Sequence, residues 1–241
     1  VRTIAYKNSL LRTLDADSIA RLQLRPIIFE LGHEIESPGH SIEHLFFLEE
    51  GMASMTNTFS DGSQVEVGMF GYEGVIGVSG LMGTKRSLNR VYTQIEGRGF
   101  SCSLEAARRE FGLGQLFQSL ALRYVQAQLL QAMQSAGCNA KHRIEQRLAR
   151  WLLLCADRAH SNTFRLSQEY IADMLGSTRP SVSVAAGLLK EEALIDYSRG
   201  LIRILDVEKL ERRSCECYRI IKDHLDNYTE FDSGILAEQT I

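Results

Sequence analysis

Between residues 166 and 190 the chain sets one guanidinium, Arg179, among small polar side chains: Ser177-Thr178-Arg179-Pro180-Ser181-Val182-Ser183-Val184. A guanidinium at the N-terminal end of a helix can donate two parallel hydrogen bonds to guanine O6 and N7, for roughly 1–3 kcal/mol of discrimination against another base. Serine and threonine hydroxyls beside it both donate and accept, which suits secondary contacts to bases or backbone. A second cation, Arg199, stands directly before Gly200. At the tip of a tight turn it would meet phosphate, a contact that positions a protein without reading sequence. The chemistry offered is recognition of double-stranded DNA. No nucleophile elbow, P-loop or His/Asp/Cys constellation accompanies it, so no enzymatic activity is expected.

Positioning those side chains takes two helices, a turn and a hairpin. Ser167 is an N-cap candidate with Tyr170 at the third helical position. Ile171, Met174 and Leu175 give that helix a buried face, and Ala172 permits a close crossing. Gly176 ends it in the left-handed backbone that favours glycine. Ser177 or Thr178 caps the next helix, and Pro180 falls in its first turn, where a missing N–H has no helical partner. Val182, Ala185, Ala186 and Leu189 then face inward. The expected DNA-binding residues are Ser167, Gln168, Thr178, Arg179, Pro180, Ser181, Ser183, Val184 and Arg199, on a helix-turn-helix over 166–190 and its wing. The wing reads as strands Leu194–Tyr197 and Leu201–Leu205, joined at Ser198-Arg199-Gly200. Charge agrees in place. The net charge is −3, yet from Lys141 to Arg203 there are 10 lysines and arginines against 7 aspartates and glutamates.

The rest of the chain divides into unlike halves. A hydrophobic content of 44% with 24% charged residues and three prolines is that of a globular protein without long linkers. There is no apolar stretch of membrane-spanning length and no basic-then-apolar leader, so no membrane association is expected and cytoplasm is the expected compartment. From Ile27 to about Leu104, short alternating runs are broken by Gly51, Gly62, Gly68, Gly71, Gly74 and Gly77, with Asp61-Gly62 a hairpin signal. This predicts a sandwich or barrel, preceded by a short capped helix from Asp15. The period then becomes helical: Leu113, Leu116, Leu120, Tyr124, Ala127, Leu130 and Gln134 form a stripe. The glycine-free run from Gln115 to Ala136 is 22 residues, roughly 33 Å of helix. A small barrel cannot cover such a length, and the exposed seam is expected to seat the same helix of a second copy. Another helix, from Lys141 to about Ala159, and an amphipathic tail helix from Glu208 to about Tyr228 complete the reading. The five cysteines, Cys102, Cys138, Cys155, Cys215 and Cys217, lack disulfide-framework spacing and suit a reducing compartment. Cys215-Glu216-Cys217 is tighter than the usual Cys-x-x-Cys zinc spacing. His33, His40 and His44 have no cysteine partners nearby. No metal is expected.

Glycine-punctuated strands, a long helix and a winged helix-turn-helix, in that order, resemble the CRP/FNR superfamily of bacterial transcription regulators over about residues 20 to 210. Pro38-Gly39, Leu45-Phe-Phe-Leu-Glu-Glu-Gly51, Gly74-Val-Ile-Gly77 and Arg86-Ser87 are similar to a cyclic-nucleotide-binding barrel. The resemblance implies an α+β fold: an N-terminal double-stranded β-helix (jelly-roll) sensor barrel at 1–112, a dimerisation helix and hinge at 113–138, and a winged helix-turn-helix domain at 139–210. A C-terminal helical extension at 211–241 lies beyond the family's usual end. It further implies a homodimer on a palindromic operator, with half-sites about 34 Å apart, and RNA polymerase as a further partner. The effector pocket would comprise Gly74, Val75, Ile76, Arg86, Ser87, Ala132 and Met133. Cyclic-AMP-binding members carry Glu where Val75 stands, and Thr and Ser where Ala132 and Met133 stand, so the ribose and base contacts are lost and Glu73 lies too early, on the other side of Gly74. A cyclic nucleotide is therefore disfavoured, and another effector, or none, is expected. The iron–sulfur relatives' N-terminal cysteine group is missing, since Cys102 is the first cysteine. On the recognition helix only Arg179 matches the best-known relatives, with Pro180 and Val184 in the other places, so a different operator is expected. The rival reading is a small-molecule sensor whose DNA-binding domain is vestigial.

Overall fold

The computed structural model describes residues 5–230; residues 1–4 and 231–241 of the expected outer domains lie outside the described residues. Asn8 opens α1 (Ser9–Thr13) by accepting from the Leu10 and Leu11 N–H groups. Asp15 caps α2 (Ala16–Leu22), as its sequence predicts, accepting from the Ser18 N–H. Then come β1 (Arg25–Phe29), β2 (Glu34–Glu36), β3 (His44–Leu48), β4 (Met52–Thr58), β5 (Gln64–Phe70), β6 (Val75–Ile76), β7 (Arg90–Ile95) and β8 (Gly97–Ser103). They form two antiparallel four-stranded sheets, β1-β8-β3-β6 and β2-β7-β4-β5. Phe29, Leu45 and Phe47 from one sheet share a core with Met52, Ala53 and Val91 from the other. Between β4 and β5 the chain turns at Asp61-Gly62: Gly62 takes φ +84°, and Asp61 Oδ1 accepts from the Ser63 N–H at 2.9 Å. Gly99 is needed for room, since a Cβ there would lie 2.0 Å from the Phe47 carbonyl oxygen on the paired strand.

Helices dominate the remainder: α3 (Leu104–Phe111), α4 (Leu116–Lys141), α5 (Ile144–Ala159), β9 (Thr163–Arg165), α6 (Gln168–Met174) and α7 (Arg179–Glu191). After them stand β10 (Ile195–Ser198), β11 (Leu201–Ile204), α8 (Val207–Arg213) and α9 (Cys217–Asn227). Helix α4 is 26 residues long and runs through Gly137, where a stop is expected. One exposed glycine costs only about 1 kcal/mol, which a long helix seated on a barrel tolerates. Because α4 continues to Lys141, α5 starts at Ile144 and not at Lys141. The stripe Leu116, Leu120, Tyr124, Ala127 and Leu130 is buried or half-buried, while Leu113 precedes the helix. The exposed apolar row is a different one, made by Leu122, Leu129 and Met133.

Two further corrections concern short elements. Residues 161–163 break the chain as expected, but Thr163–Arg165 then pairs with β11, giving the wing three strands in the order β10-β11-β9. The tail is two helices where one is expected. Ser214 turns its hydroxyl back onto the Glu211 carbonyl at 2.7 Å and its backbone is extended, a local bond that competes with helix propagation.

The C-terminal domain sits directly on the barrel, and one apolar cluster runs from Leu10 to Tyr228. Trp151 of α5 donates from Nε1 to Glu66 of β5 at 2.9 Å. Tyr92 of β7 donates to the Tyr170 hydroxyl of α6 at 3.1 Å. Arg158 of α5 pairs with Glu73 at 2.9 Å, both 3% exposed, and donates to Gln131 of α4 at 2.7 Å. Burial alone would favour a neutral Arg158, but Glu73 and the other anionic groups around it more than offset that, so it stays charged. Helix α9 returns to α4 and the barrel: the Arg123 Nε donates to the Tyr228 carbonyl at 2.6 Å, and the Tyr228 hydroxyl to the Glu73 carbonyl at 2.9 Å.

Candidate nucleic-acid interface

Local chemistry builds the two helices of this site as the sequence predicts. Ser167 caps α6, its hydroxyl accepting from the Tyr170 N–H at 3.1 Å. Gly176 takes φ +54° in the turn. It also packs against the barrel, where an added Cβ would stand 3.2 Å from Val65. Thr178 caps α7 by accepting from the Ser181 N–H, and Pro180 lies in the first turn, where its missing donor leaves no gap. Val182, Ala185, Ala186 and Leu189 are buried. Arg179, Pro180, Ser183 and Val184 are exposed and Ser181 is half-buried. Val184, at 64% exposure, is the most open large apolar side chain of this helix.

The start of α6, the start of α7 and the wing close around one open cleft of about 380 Å³. Ser167, Gln168, Arg179 and Arg199 all line it. The sequence reading missed three of its walls, Glu169, Tyr197 and Gly200. Tyr197 could have been found by its place on a wing strand; its hydroxyl donates to the Leu166 carbonyl at 3.1 Å. Burial raises the Tyr197 phenol's pKa, with the Arg179 guanidinium pulling the other way. Thr178, Pro180, Ser181, Ser183 and Val184 lie outside the lining, along α7. Neither Arg179 nor Arg199 forms an ion pair among the described residues, so both guanidiniums remain available for an anion.

The wing tip is tighter than the sequence suggests. Ser198 pairs with Leu201, which leaves Arg199 and Gly200 as a two-residue loop with φ +51° and +76°. Both central residues at positive φ make a type I′ hairpin turn, whose twist matches its strands. An arginine in this conformation is uncommon.

The expected effector residues are not gathered into one place. Val75 and Ile76 are core residues of β6, 1% and 0% exposed, paired with Phe47 and Phe46. Gly74 packs under Tyr124, with a Cβ position 3.1 Å from its hydroxyl. Arg86 is exposed and donates to the Gly39 carbonyl at 2.7 Å. Ser87 is buried, donates to Glu36 and the Asn89 carbonyl, and lines a cavity of about 200 Å³ with His40 and His44. Ala132 is half-buried on α4, and Met133 points outward at 61% exposure. Glu73 points into the domain junction through its pair with Arg158. The slot between β5, α4 and α5 has about 20 Å³, room for a single water.

Residues 146–213 match the Crp-like helix-turn-helix domain family. Along most of its length the chain is similar to global nitrogen regulators of cyanobacteria. It is 26% identical over 220 residues to that of Synechococcus elongatus, covering 87% of this chain and 99% of the relative. It is 26% identical over 198 residues to that of a Nostoc species, covering 77% and 87%. Two solved structures share the fold. FixK2 from Bradyrhizobium japonicum gives a TM-score of 0.68 at 17% identity, covering 80% of this chain and 98% of that one. A CRP/FNR-family transcriptional regulator from Thermus thermophilus gives 0.63 at 18% identity, covering 79% and 98%. Among the described residues no helix is long and apolar enough to cross a membrane.

Proposed function

We propose, the chain being a DNA-binding transcription regulator of the CRP/FNR type, that it binds a palindromic operator as a homodimer and reads one guanine per half-site through Arg179. The observation that carries this reading is the cleft between α6, α7 and the wing, where Arg179 and Arg199 meet without an ion pair of their own among the described residues. Arg179 donates to guanine O6 and N7, and Arg199 holds the adjacent phosphate. Val184 supplies apolar contact to a thymine methyl, with Ser181 and Ser183 as secondary polar readers. Pro180 cannot accept from cytosine. The operator accordingly differs from that of relatives with a glutamate there. The second copy docks along the exposed row of α4, and RNA polymerase is the further partner. The protein works in the cytoplasm and performs no catalysis.

Cyclic AMP is not the signal in this reading. Val75 replaces the ribose-binding glutamate and is buried, Glu73 is engaged by Arg158, and Met133 lies on the outer row of α4. The effector is another small molecule, or there is none.

Selection of operators from a randomised palindromic library, followed by titration with Arg179→Ala, tests the assignment. The variant should bind about 1–3 kcal/mol more weakly per half-site, with preference relaxed at one base pair. Equal affinity and equal preference would sink the readout model and favour a sensor with a vestigial DNA-binding domain.

A further inference from the structure

Four side chains from two distant stretches meet where α4 hands over to α5. Cys138 lies in the last turn of α4 and His142 is its C-cap. Cys215 lies in the break between α8 and α9, and Cys217 opens α9. Their ligand atoms all lie within 4.8 Å of one another. Cys138 Sγ is 3.5 Å from Cys215 Sγ, and Cys217 Sγ is 3.6 Å from His142 Nδ1. The three sulfurs are buried, with exposures of 1%, 4% and 1%, and all are free thiols.

Three thiols and an imidazole are the donor set of a closed structural zinc site. A tetrahedron with metal–sulfur bonds of about 2.3 Å has sulfur–sulfur edges of about 3.8 Å. The two close contacts here are within a few tenths of an ångström of such edges. An iron–sulfur cluster would hold its cysteines farther apart, because irons and sulfides stand between them; the observed spacing fits one ion. The surroundings point the same way. His142 turns Nδ1 toward the thiols and Nε2 toward Glu216 Oε1 at 3.3 Å. A carboxylate behind a ligating histidine fixes its tautomer and raises its basicity. The Gln134 side-chain amide donates to Cys217 Sγ at 3.1 Å, a bond that would stabilise a charged, metal-bound sulfur.

We propose that Cys138, His142, Cys215 and Cys217 bind one zinc ion, which fastens the α8–α9 break to the C-terminal end of the long helix. Loading exchanges the three thiol protons for one Zn²⁺, leaving a site of net charge −1 with neutral His142 donating its Nε2 proton to Glu216. The tight Cys215-x-Cys217 spacing serves because the remaining two ligands come from another helix.

The full chain, purified under reducing conditions without added metal, should contain one zinc per chain by mass spectrometry. After stripping with a chelator, Co²⁺ titration should give the intense ligand-field and thiolate-to-cobalt bands of a tetrahedral site, saturating at one equivalent and bleached by Zn²⁺. Cys217→Ser should abolish the high-affinity step. Glu216→Gln, on a well-exposed residue whose change leaves the core intact, should weaken metal affinity by about 10–100-fold. An octahedral-type cobalt spectrum, saturation at a non-integral or undefined stoichiometry with all thiols free, a Cys138–Cys215 disulfide in the freshly purified chain, or a brown iron–sulfur chromophore would each overturn the proposal.

Discussion

Arg199 holds φ +51° at the wing tip, a backbone region that costs a residue other than glycine about 1 kcal/mol and that asparagine tolerates better. The strain is offset by where it puts the guanidinium, on the rim of the cleft that Arg179 also lines. Arg199→Asn should therefore leave the melting temperature unchanged or slightly raised while flattening the salt dependence of DNA binding. One phosphate contact fewer per chain reduces the log–log slope by about 0.9, so a dimer should lose nearly two, as measured by anisotropy titrations across salt. An unchanged slope would remove Arg199 from the phosphate contacts. Arg179 and the helix caps were legible because each acts within three or four residues of sequence. Glu73 was not: it stood two places from a family ligand position, and only the fold shows its carboxylate paired with Arg158, 85 residues away.

Helix α4 carries two apolar rows, and sequence periodicity alone could not say which is covered within the chain. Leu116, Leu120, Tyr124 and Ala127 are. Leu122, Leu129 and Met133 are left outside, with Gln126, Ala136 and Ala140 continuing their three-and-four spacing on exposed positions, the geometry of a coiled-coil seam. If that row joins two copies, Leu129→Glu should produce monomers at micromolar concentration by sedimentation, with circular dichroism and thermal unfolding of the isolated chain little changed. Removing one buried leucine from each side forfeits roughly 3–6 kcal/mol, before any repulsion between the new carboxylates. A variant that stays dimeric would move the interface elsewhere. The barrel, long helix and winged domain were legible as elements because each has its own period and caps. The α8–α9 break was not, since it carries no glycine or proline and follows from a serine hydroxyl bond and from cysteines buried against a helix 77 residues earlier.

At the scale of the molecule, the barrel and the DNA-binding domain meet across buried and half-buried polar groups. Glu66 accepts from Ser54 at 2.6 Å and from Trp151 at 2.9 Å. Burial nevertheless pushes its pKa up to about 7, against the opposing pull of those two hydrogen bonds. A carboxyl whose folded pKa exceeds its unfolded value contributes its full stability below the unfolded pKa, and loses it as pH rises through the folded one. Between about pH 4.5 and 7 the wild type should therefore lose thermal stability relative to Glu66→Gln, and the difference should level off above pH 7. Parallel melting curves across that range would refute the assignment. The same junction limits how the DNA-binding domain can move. It enters from α4 at His142 and leaves through α9, whose end is bonded to Arg123 and to the Glu73 carbonyl. A body pinned at one point can swivel in three directions, whereas one also bonded to the barrel at Glu66, Tyr92 and Glu73 cannot turn without breaking those bonds. The two recognition helices of a dimer would then be held at one spacing, and operators with a base pair inserted between the half-sites would demand a motion the frame does not permit.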